Sequence, residues 1–289
     1  MNGAKIALSV MMMGSQPAPA ASWPDTDWRV LETKVRWAVA ARLDTLPIGT
    51  AIARLGETFV GTTYTPGTLE PPGPERVVIN LREFDCVTFI ENMLAMTQFI
   101  RHDGTALLAD RPIAEARYAS YIVNIRYRGG LLDGYASRLH YFSEWLTDNA
   151  ARGRLRLLAR ELGGVADAEP LSFMSAHPSA YRQMEDPGVP EAIRAMEHRL
   201  SAGPARWYIP EDRIAEVAGR IQDGDLIAAT STLPGLDVAH TGIALWRGGR
   251  LHLLHAPLVG KSVEISVLPL AERIVELKTQ DGIMVARVQ

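Results

Sequence analysis

The chain has 289 residues, of which 47% are hydrophobic and 22% charged, and its formal net charge is −3 at pH 7. This length and composition are typical of a globular protein with a full core, either one large domain or two small ones. The balance of 30 basic against 33 acidic residues leaves no basic field for phosphates and argues against nucleic acid as a partner. The only cysteine, Cys86, cannot form an internal disulfide.

The N-terminus has the order of a secretory signal peptide. Lys5 precedes the apolar run 6–13, and small residues with an Ala-x-Ala pattern follow at 18–20. We therefore predict a signal peptide over residues 1–21 and export to the periplasm, with a disordered N-terminus as the alternative. No other segment approaches the ~18 consecutive apolar residues of a membrane span, so we expect no integral membrane segment.

The first part of the mature chain has helical periodicity. Apolar residues recur at helical spacing over 28–43 and 47–59, which predicts two amphipathic helices in an N-terminal helical part spanning 22–60. The Pro- and Gly-rich segment 61–74 predicts a loop, and 76–81 predicts a short strand. No linker divides the chain after this point, so we predict a single catalytic domain over 22–289.

The rest of the chain changes from helices to strands. Residues 87–100 are apolar on nearly every face, which predicts a central covered helix, and further helices are predicted at 112–127, 137–151 and 190–200. Strands are predicted at 225–230, 238–246, 251–255, 262–268 and 282–288. This order indicates an α+β fold in which the helix bearing Cys86 packs on a C-terminal antiparallel sheet, with extra N-terminal and middle helices.

Cys86 stands at the predicted start of the central helix. A free cysteine is often a small buried hydrophobe, and it becomes a candidate nucleophile only with a histidine partner. A helix N-terminus favours the thiolate by only ~0.3–1 kcal/mol, so a base must do most of the activation. The neighbouring Asp85 opposes ionisation unless its carboxylate caps the helix.

Candidate bases lie in the predicted hairpin around Gly248-Gly249. If Arg247 pairs with Arg250 across the hairpin, the two residue numbers of every cross-strand pair add up to 497. Gly242 then pairs with His255, and His240 becomes the diagonal neighbour of His255 on the same face of the sheet. His252 would then face Leu245 on the other side. The remaining histidines fall at predicted helix ends or loops, where we expect surface positions: His102, His140, His177 and His198.

A thiol at a helix start and two imidazoles on one sheet face have the composition of an activated nucleophile. Cys86 would attack, His240 would accept the thiol proton, and His255 would orient His240. Amide hydrolysis would proceed through a thioester and a tetrahedral oxyanion, with the backbone N–H of Cys86 as one oxyanion donor.

These residues belong to an ordered set of motifs between residues ~55 and 289. The motifs are 61–64 (GTTY), 67–70 (GTLE), 84–91 (FDCVTFIE), 137–145 (SRLHYFSEW), 223–227 (DGDLI), 237–244 (DVAHTGIA) and 254–256 (LHA). The set resembles the NlpC-like cell-wall cysteine peptidases, a papain-like superfamily, and most closely its N-acetylmuramoyl-L-alanine amidase-like branch. Val87, where the wider superfamily often has Ser, is consistent with that branch.

The resemblance implies a papain-like fold and a bacterial cell-wall hydrolase. It implies that Cys86, His240 and His255 form the catalytic set, that the N-acetylmuramoyl–L-alanine amide is cleaved, and that peptidoglycan or a muropeptide is the substrate. Tyr64 would bind substrate or the oxyanion, or else anchor a loop. Arg138 would meet a substrate carboxylate, although an exposed helical arginine is the simpler interpretation. No cofactor and no metal are implied.

Three alternatives remain open on the sequence. A stem-peptide endopeptidase would cleave the γ-D-Glu to diaminopimelate bond with the same residues. A zinc amidase would use Asp237, His240, His252 and His255, although alternation places His252 and His255 on opposite faces. A non-catalytic peptidoglycan-binding protein would keep the fold without the reaction.

Overall fold

The computed structural model describes residues 23–258 and 261–289, and the predicted signal peptide at 1–21 lies outside them. The described chain has an α+β architecture in which most helices precede the main sheet. The longer helices are α1 (Asp25–Ala40), α2 (Ile48–Glu57), α3 (Cys86–His102), α4 (Arg111–Arg126), α5 (Phe142–Ala151) and α7 (Val189–Ser201). Three short helices are α6 (Phe173–Ala176), α8 (Ile214–Val217) and α9 (Leu270–Glu276).

Eight strands of the described residues form one antiparallel sheet. Its order is β4-β5-β10-β6-β7-β8-β9, and β3 pairs with a further part of β10. The bounds are β3 (Leu155–Leu157), β4 (Val165–Asp167), β5 (Arg206–Pro210), β6 (Leu226–Ser231), β7 (Val238–Arg247), β8 (Arg250–His255), β9 (Glu264–Ile265) and β10 (Gln280–Val288). A separate parallel pair, β1 (Thr63–Tyr64) and β2 (Glu83–Phe84), leads into α3.

Helices cover both faces of the sheet. On one face, α3 packs against apolar residues that include Ala228 and Ile243, and on the other face α8 and α9 cover the residues between them, such as Ile227 and Ala244. This division arises from the strand period of two, which sends successive side chains to opposite faces. Because α3 is sandwiched between the sheet and other helices, almost its whole surface is buried, as its apolar residues on nearly every face predict.

A buried ion pair joins α3 to α4. Arg126 Nε donates to Glu91 Oε2 at 2.7 Å, and both side chains are about 2% exposed. Trp145 Nε1 donates to the other Glu91 oxygen at 3.2 Å, and Arg126 Nη1 donates to the Val78 carbonyl at 2.8 Å. The four residues place α3, α4, α5 and the segment before β2 in one hydrogen-bonded network.

The predicted strand at 76–81 is wrong, although its alternation is real. Val77, Ile79 and Leu81 are buried, but the segment has no strand partner among the described residues. Side chains bind its backbone instead: Asp27 accepts from the Leu81 N–H at 2.8 Å, and Arg126 donates to the Val78 carbonyl. An extended segment can thus satisfy its backbone polar groups without joining a sheet.

Two other predicted bounds need correction. The helix predicted at 137–151 begins at Phe142, where Asp237 Oδ2 accepts the Ser143 N–H at 2.7 Å and so caps it from a distant loop. The strand predicted at 262–268 is reduced to β9, because Ser266 bonds Leu253 through both its backbone and its side chain and the chain then turns at Pro269. No helix within the described ranges is both long and apolar enough to cross a membrane.

Candidate active site

Cys86 is the first residue of α3, and Asp85 caps the helix in front of it. Asp85 Oδ1 accepts from the Thr88 N–H at 2.7 Å, while the Asp85 N–H donates to Thr88 Oγ1 at 2.9 Å. This reciprocal pair is a capping box and satisfies two backbone donors at the helix start. The condition set for Asp85, that its carboxylate caps the helix, is met, yet its charge still raises the pKa of the Cys86 thiol.

The thiol of Cys86 lies against β7. Thr241 Oγ1 donates to the Cys86 carbonyl at 2.9 Å, which ties the first turn of α3 to the strand. Burial and the Asp85 carboxylate raise the pKa of the Cys86 thiol to about 11, although hydrogen bonds from Thr241 oppose that shift. The resting thiol is therefore protonated at neutral pH.

The two predicted histidine partners are in direct contact. His240 Nε2 and His255 Nδ1 are 2.8 Å apart, and their rings are nearly perpendicular at 84° with centroids 4.9 Å apart. The hairpin pairs Ile243 with Leu254 and Arg247 with Arg250, so paired numbers add up to 497 as predicted. The predicted register and the contact between His240 and His255 are confirmed.

Both imidazoles are neutral. Burial, reinforced by the positive charge of Arg273, lowers the pKa of His240 to about 3. Burial, with His240 and Arg273 as further causes, lowers the pKa of His255 to about 2. In neutral His240, Nε2 contacts His255. The other ring nitrogen, Nδ1, makes no hydrogen bond among the described residues and so is available to accept or donate one.

Tyr64 lies close to the thiol. It pairs with Phe84 in the β1–β2 ladder, two residues before Cys86. Its side chain is half-buried, and burial, with the charges of Cys86 and Asp85, raises its pKa to about 12. The phenol is thus neutral and able to donate a hydrogen bond, and its role toward substrate stays a prediction.

Arg138 is neither exposed nor helical, which corrects the simpler interpretation of it. It is only 6% exposed and comes directly after the turn Tyr135–Ser137. Its guanidinium donates to both oxygens of Glu75 at 3.0 and 2.6 Å and to Glu70 Oε1 at 2.5 Å. A further bond, to the Leu69 carbonyl at 2.9 Å, commits four of the five N–H donors of Arg138. These contacts favour a role in holding the loop at 67–75, and a role toward a substrate carboxylate stays a prediction that they do not support.

His140 also departs from its expected surface position. It is half-buried, with its ring 4.4 Å from that of Tyr135 and Nε2 2.9 Å from the Tyr135 carbonyl. Burial and the charge of Arg138 lower its pKa to about 3. Its environment belongs to the loop packing around Arg138.

The residues of the zinc alternative do not converge. His252 faces Leu245 across the hairpin and bonds the Ser266 carbonyl at 2.8 Å, on the opposite side of β8 from His255. Asp237 accepts the backbone N–H groups of Ser143 and Val238 at 2.7 and 2.8 Å. Over 23–258 and 261–289, no three His, Cys, Asp or Glu side chains are grouped as metal ligands.

Sequence reasoning missed three residues that contact or surround the central ones. Thr241 adjoins His240 in the sequence and could have been noticed there. Glu264 lies opposite His255 in the β8–β9 ladder, and Arg273 on α9 faces the same pocket. Neither was predictable, because irregular connections separate both of them from the hairpin.

Comparison with known proteins identifies the chain's relatives. The model of the AmiA-like family, described as N-acetylmuramoyl-L-alanine amidase-like, matches residues 54–283. A crystal structure of an N-acetylmuramoyl-L-alanine amidase from Bacteroides uniformis is 34% identical, covers 84% of this chain and 99% of that one, and has a TM-score of 0.76. No curated protein matches the chain significantly.

Two further solved structures are similar. A Bacteroides fragilis protein provisionally assigned as a xylanase is 35% identical, covers 81% of this chain and 99% of that one, and has a TM-score of 0.72. A Legionella pneumophila protein at 16% identity covers 90% and 94% of the two chains with a TM-score of 0.64, and at that identity it shows a shared fold alone. The family match over most of the described chain, with the bacterial amidase structure, establishes that this protein belongs to the N-acetylmuramoyl-L-alanine amidase-like family.

Proposed function

We propose that this protein is a cysteine-dependent amidase that cleaves the N-acetylmuramoyl–L-alanine bond of muropeptides or peptidoglycan. The observation that carries the proposal is the 2.8 Å contact between His240 and His255, on a hairpin whose strand β7 is tied to the helix-capped Cys86 by the bond from Thr241 to the Cys86 carbonyl. Membership of an amidase-like family supports a cell-wall amide as the substrate. The residues provide a nucleophile, a base and an orienting group.

The proposed reaction has two halves. Cys86 Sγ attacks the lactyl carbonyl carbon of the muramyl group while His240 Nδ1 takes the thiol proton. The tetrahedral intermediate collapses to a thioester, and His240 returns the proton to the departing α-amine of L-alanine. Water, deprotonated by His240, then attacks the thioester and releases the muramyl carboxylic acid and the free thiol.

Two donors are available for the oxyanion of the intermediate. The Cys86 N–H lies in the first turn of α3, where backbone donors are not used within the helix. The Tyr64 phenol, neutral because its pKa is raised to about 12, is the second. Preorganised donors of this kind are worth about 2.7–4 kcal/mol each where one has been removed from a hydrolase.

The protonation states favour proton transfer during attack over a preformed ion pair. Burial raises the pKa of the thiol to about 11 and lowers that of His240 to about 3, so both groups are neutral before substrate binds. We therefore expect slow alkylation of the free enzyme by iodoacetamide at pH 7. Substrate binding would favour attack by placing the carbonyl next to the thiol.

The same residues could cleave a stem-peptide bond, so the digest products decide the substrate. Mass spectrometry of a purified muropeptide digest should show the free sugar and a peptide beginning with L-alanine. A released dipeptide would instead identify a γ-D-Glu to diaminopimelate endopeptidase. Activity that EDTA abolishes but that survives complete alkylation of Cys86 by iodoacetamide would identify the zinc alternative. Binding without cleavage of either bond would contradict the proposal in favour of a peptidoglycan-binding protein.

We extend the proposal to fold type and location. A cysteine at the start of a helix packed on an antiparallel sheet with the histidine pair supports a papain-like, NlpC-like relationship. The basic, apolar and small-residue order at 1–21 supports export to the periplasm, where peptidoglycan lies. A glycosidase activity is not favoured, because the usual hydrolysis of sugars needs two facing carboxyl groups and this site presents a thiol and two imidazoles.

A further inference from the structure

One buried nitrogen of the candidate site, the second ring nitrogen of His255, lacks a hydrogen-bond partner among the described residues. His255 is 1% exposed and its Nδ1 contacts His240, whereas its Nε2 is buried with no hydrogen-bond partner among the described residues. A buried ring nitrogen left unpaired costs about 1–3 kcal/mol, which makes a missing partner worth seeking. Glu264 Oε1 lies 3.8 Å from Nε2, close to hydrogen-bond distance but outside it.

Glu264 is well placed to become that partner. It stands directly opposite His255 in the β8–β9 ladder, so the backbone holds the two residues together. Its side chain is 39% exposed and borders a cavity of about 320 Å³ that also contains His255. A shift of about 1 Å would bring the carboxylate within hydrogen-bond distance of Nε2, and the cavity leaves room for it.

The direction of the bond between the two histidines decides whether His240 can act as a base. If His240 Nε2–H donates to His255 Nδ1, then His240 Nδ1 carries a lone pair and can accept the thiol proton. If His255 Nδ1–H donates instead, the proton of His240 sits on Nδ1 and the base is blocked. Both directions satisfy the 2.8 Å contact, so that contact alone does not select one.

We propose that Glu264 is a positioning residue that selects the productive tautomer of the pair. The inference rests on the proposed function. A carboxylate can only accept, so a bond from His255 Nε2–H to Glu264 fixes the His255 proton on Nε2. His255 Nδ1 must then accept from His240 Nε2–H, and His240 Nδ1 is left as the base. Glu264 thus acts through two rings and never touches the substrate.

The other charged groups around His255 cannot replace Glu264. Lys261 and Arg273 face the same cavity, but both are cations with donors alone. Their positive charges lower the pKa of His255 and so keep its ring neutral in the row of hydrogen bonds from Glu264 through His255 to His240. Glu276 also borders the cavity, but it is an exposed residue at the end of α9, not a neighbour of His255 in the sheet.

The tautomers can be measured directly by ¹⁵N NMR of histidine-labelled full-length protein. In the wild type we expect the proton on Nε2 in both His240 and His255. In Glu264→Ala, the two directions should interchange, and the ¹⁵N shifts of both rings should move toward averaged values. Glu276→Ala removes one negative charge from the same cavity and should leave both rings unchanged.

Kinetics on a muropeptide provide the second readout. Glu264→Ala should lower kcat about ten-fold or more with KM within about two-fold, because the base is blocked in part of the molecules. Glu264→Gln keeps an acceptor oxygen and should retain more activity than the alanine variant. Glu276→Ala should match the wild type.

The outcomes separate this inference from the proposed function. Unchanged tautomers in Glu264→Ala, or a Glu264→Ala kcat equal to that of Glu276→Ala, would overturn the inference while the amidase proposal stands. A wild type that cleaves no muropeptide amide but shows the tautomer change on Glu264→Ala would overturn the proposed function and leave the positioning role intact.

Discussion

At the residue scale, Asp85 has two opposing effects on the nucleophile next to it. Its carboxylate forms the capping box that starts α3 at Cys86, and its negative charge is one of the causes that raise the pKa of the thiol. The cap needs an acceptor oxygen but no charge, since Asn is as good an N-cap residue as Asp. The two effects can therefore be separated by substitution.

Replacing Asp85 should separate the cap from the charge. Asp85→Asn should leave the free energy of unfolding within about 0.5 kcal/mol of the wild type and speed iodoacetamide alkylation at pH 8, because the thiol pKa falls. Asp85→Ala should also speed alkylation but lose about 1 kcal/mol of stability with the cap. Urea unfolding and alkylation rates measure both quantities. Alkylation of Asp85→Asn at the wild-type rate would contradict the electrostatic effect.

Some residues of the candidate site could be predicted from the sequence and others could not. Cys86 was visible as the lone thiol at a helix start, and the His240 contact with His255 could be deduced from a two-residue turn and strand alternation. Both depend on local chain geometry. Arg138 was misjudged because its partners Glu70 and Glu75 come from a loop more than 60 residues earlier. Long-range ion pairs of this kind have no local signature.

At the element scale, the buried pair of Glu91 and Arg126 fixes how α3 packs on α4. Removing one member of a buried pair costs about 3–5 kcal/mol, because the other charge is left uncompensated. Arg126→Met should therefore destabilise the protein by about that amount at pH 7. The loss should be smaller at pH 5, because burial raises the pKa of Glu91 and an unpaired Glu91 takes up a proton as the pH falls.

A double variant provides the control for that loss. Glu91→Gln combined with Arg126→Met removes both charges and keeps an acceptor for Trp145 Nε1, so it should be more stable than Arg126→Met alone. Urea unfolding of the two variants at pH 7 and pH 5 makes the comparison. A double variant less stable than Arg126→Met at pH 7 would contradict the cost assigned to an uncompensated Glu91 charge.

Elements with strong periodicity were predictable, and edge elements were not. Helices α2, α3, α4 and α7 and strands β6, β7, β8 and β10 lie close to their predicted positions, since each has a clear apolar pattern. Strands β3, β4 and β5 were missed because they pair at the margin of the sheet with mixed exposure. The segment 76–81 shows the converse. Its apolar residues alternate as in a strand, but side chains and not a neighbouring strand bond its backbone.

At the scale of the whole molecule, neutral buried histidines make stability depend on pH. The folded pKa values of His140 and His240 are about 3, against an ordinary value near 6.5 in the unfolded chain. The unfolded state therefore binds more protons below pH ~6.5, and stability falls as the pH drops. Each of these two histidines should lower the free energy of unfolding by about 1–2 kcal/mol as the pH falls from 7.5 to 5. Glu91 and Asp237 act in the opposite direction, since burial raises their pKa.

A difference between variants isolates the histidine contribution from the carboxyl groups. His140→Gln keeps a donor for the Tyr135 carbonyl and should lose about 1–2 kcal/mol less than the wild type between pH 7.5 and pH 5. His177→Gln changes an exposed histidine and should behave like the wild type. Urea unfolding at the two pH values measures this, and equal pH dependence in all three proteins would show that folding does not lower the pKa of His140.

The overall arrangement of helices before a C-terminal antiparallel sheet was predictable from the order of periodic segments, and the α+β class is confirmed. The covering of the second sheet face by α8 and α9 could not be predicted, because these helices are four and seven residues long. That layer holds Arg273 near the histidine pair, so part of the electrostatics of the site arises only in the assembled fold.

The most direct test of the proposed mechanism is the rate at which Cys86→Ala releases a peptide beginning with L-alanine from a purified muropeptide, measured by mass spectrometry beside the wild type. We predict that the wild type releases it, that Cys86→Ala shows no release above background, and that the free energy of unfolding changes by no more than about 1–2 kcal/mol for one small side chain. A stable, folded Cys86→Ala variant that retains the wild-type rate would contradict the assignment of Cys86 as the nucleophile.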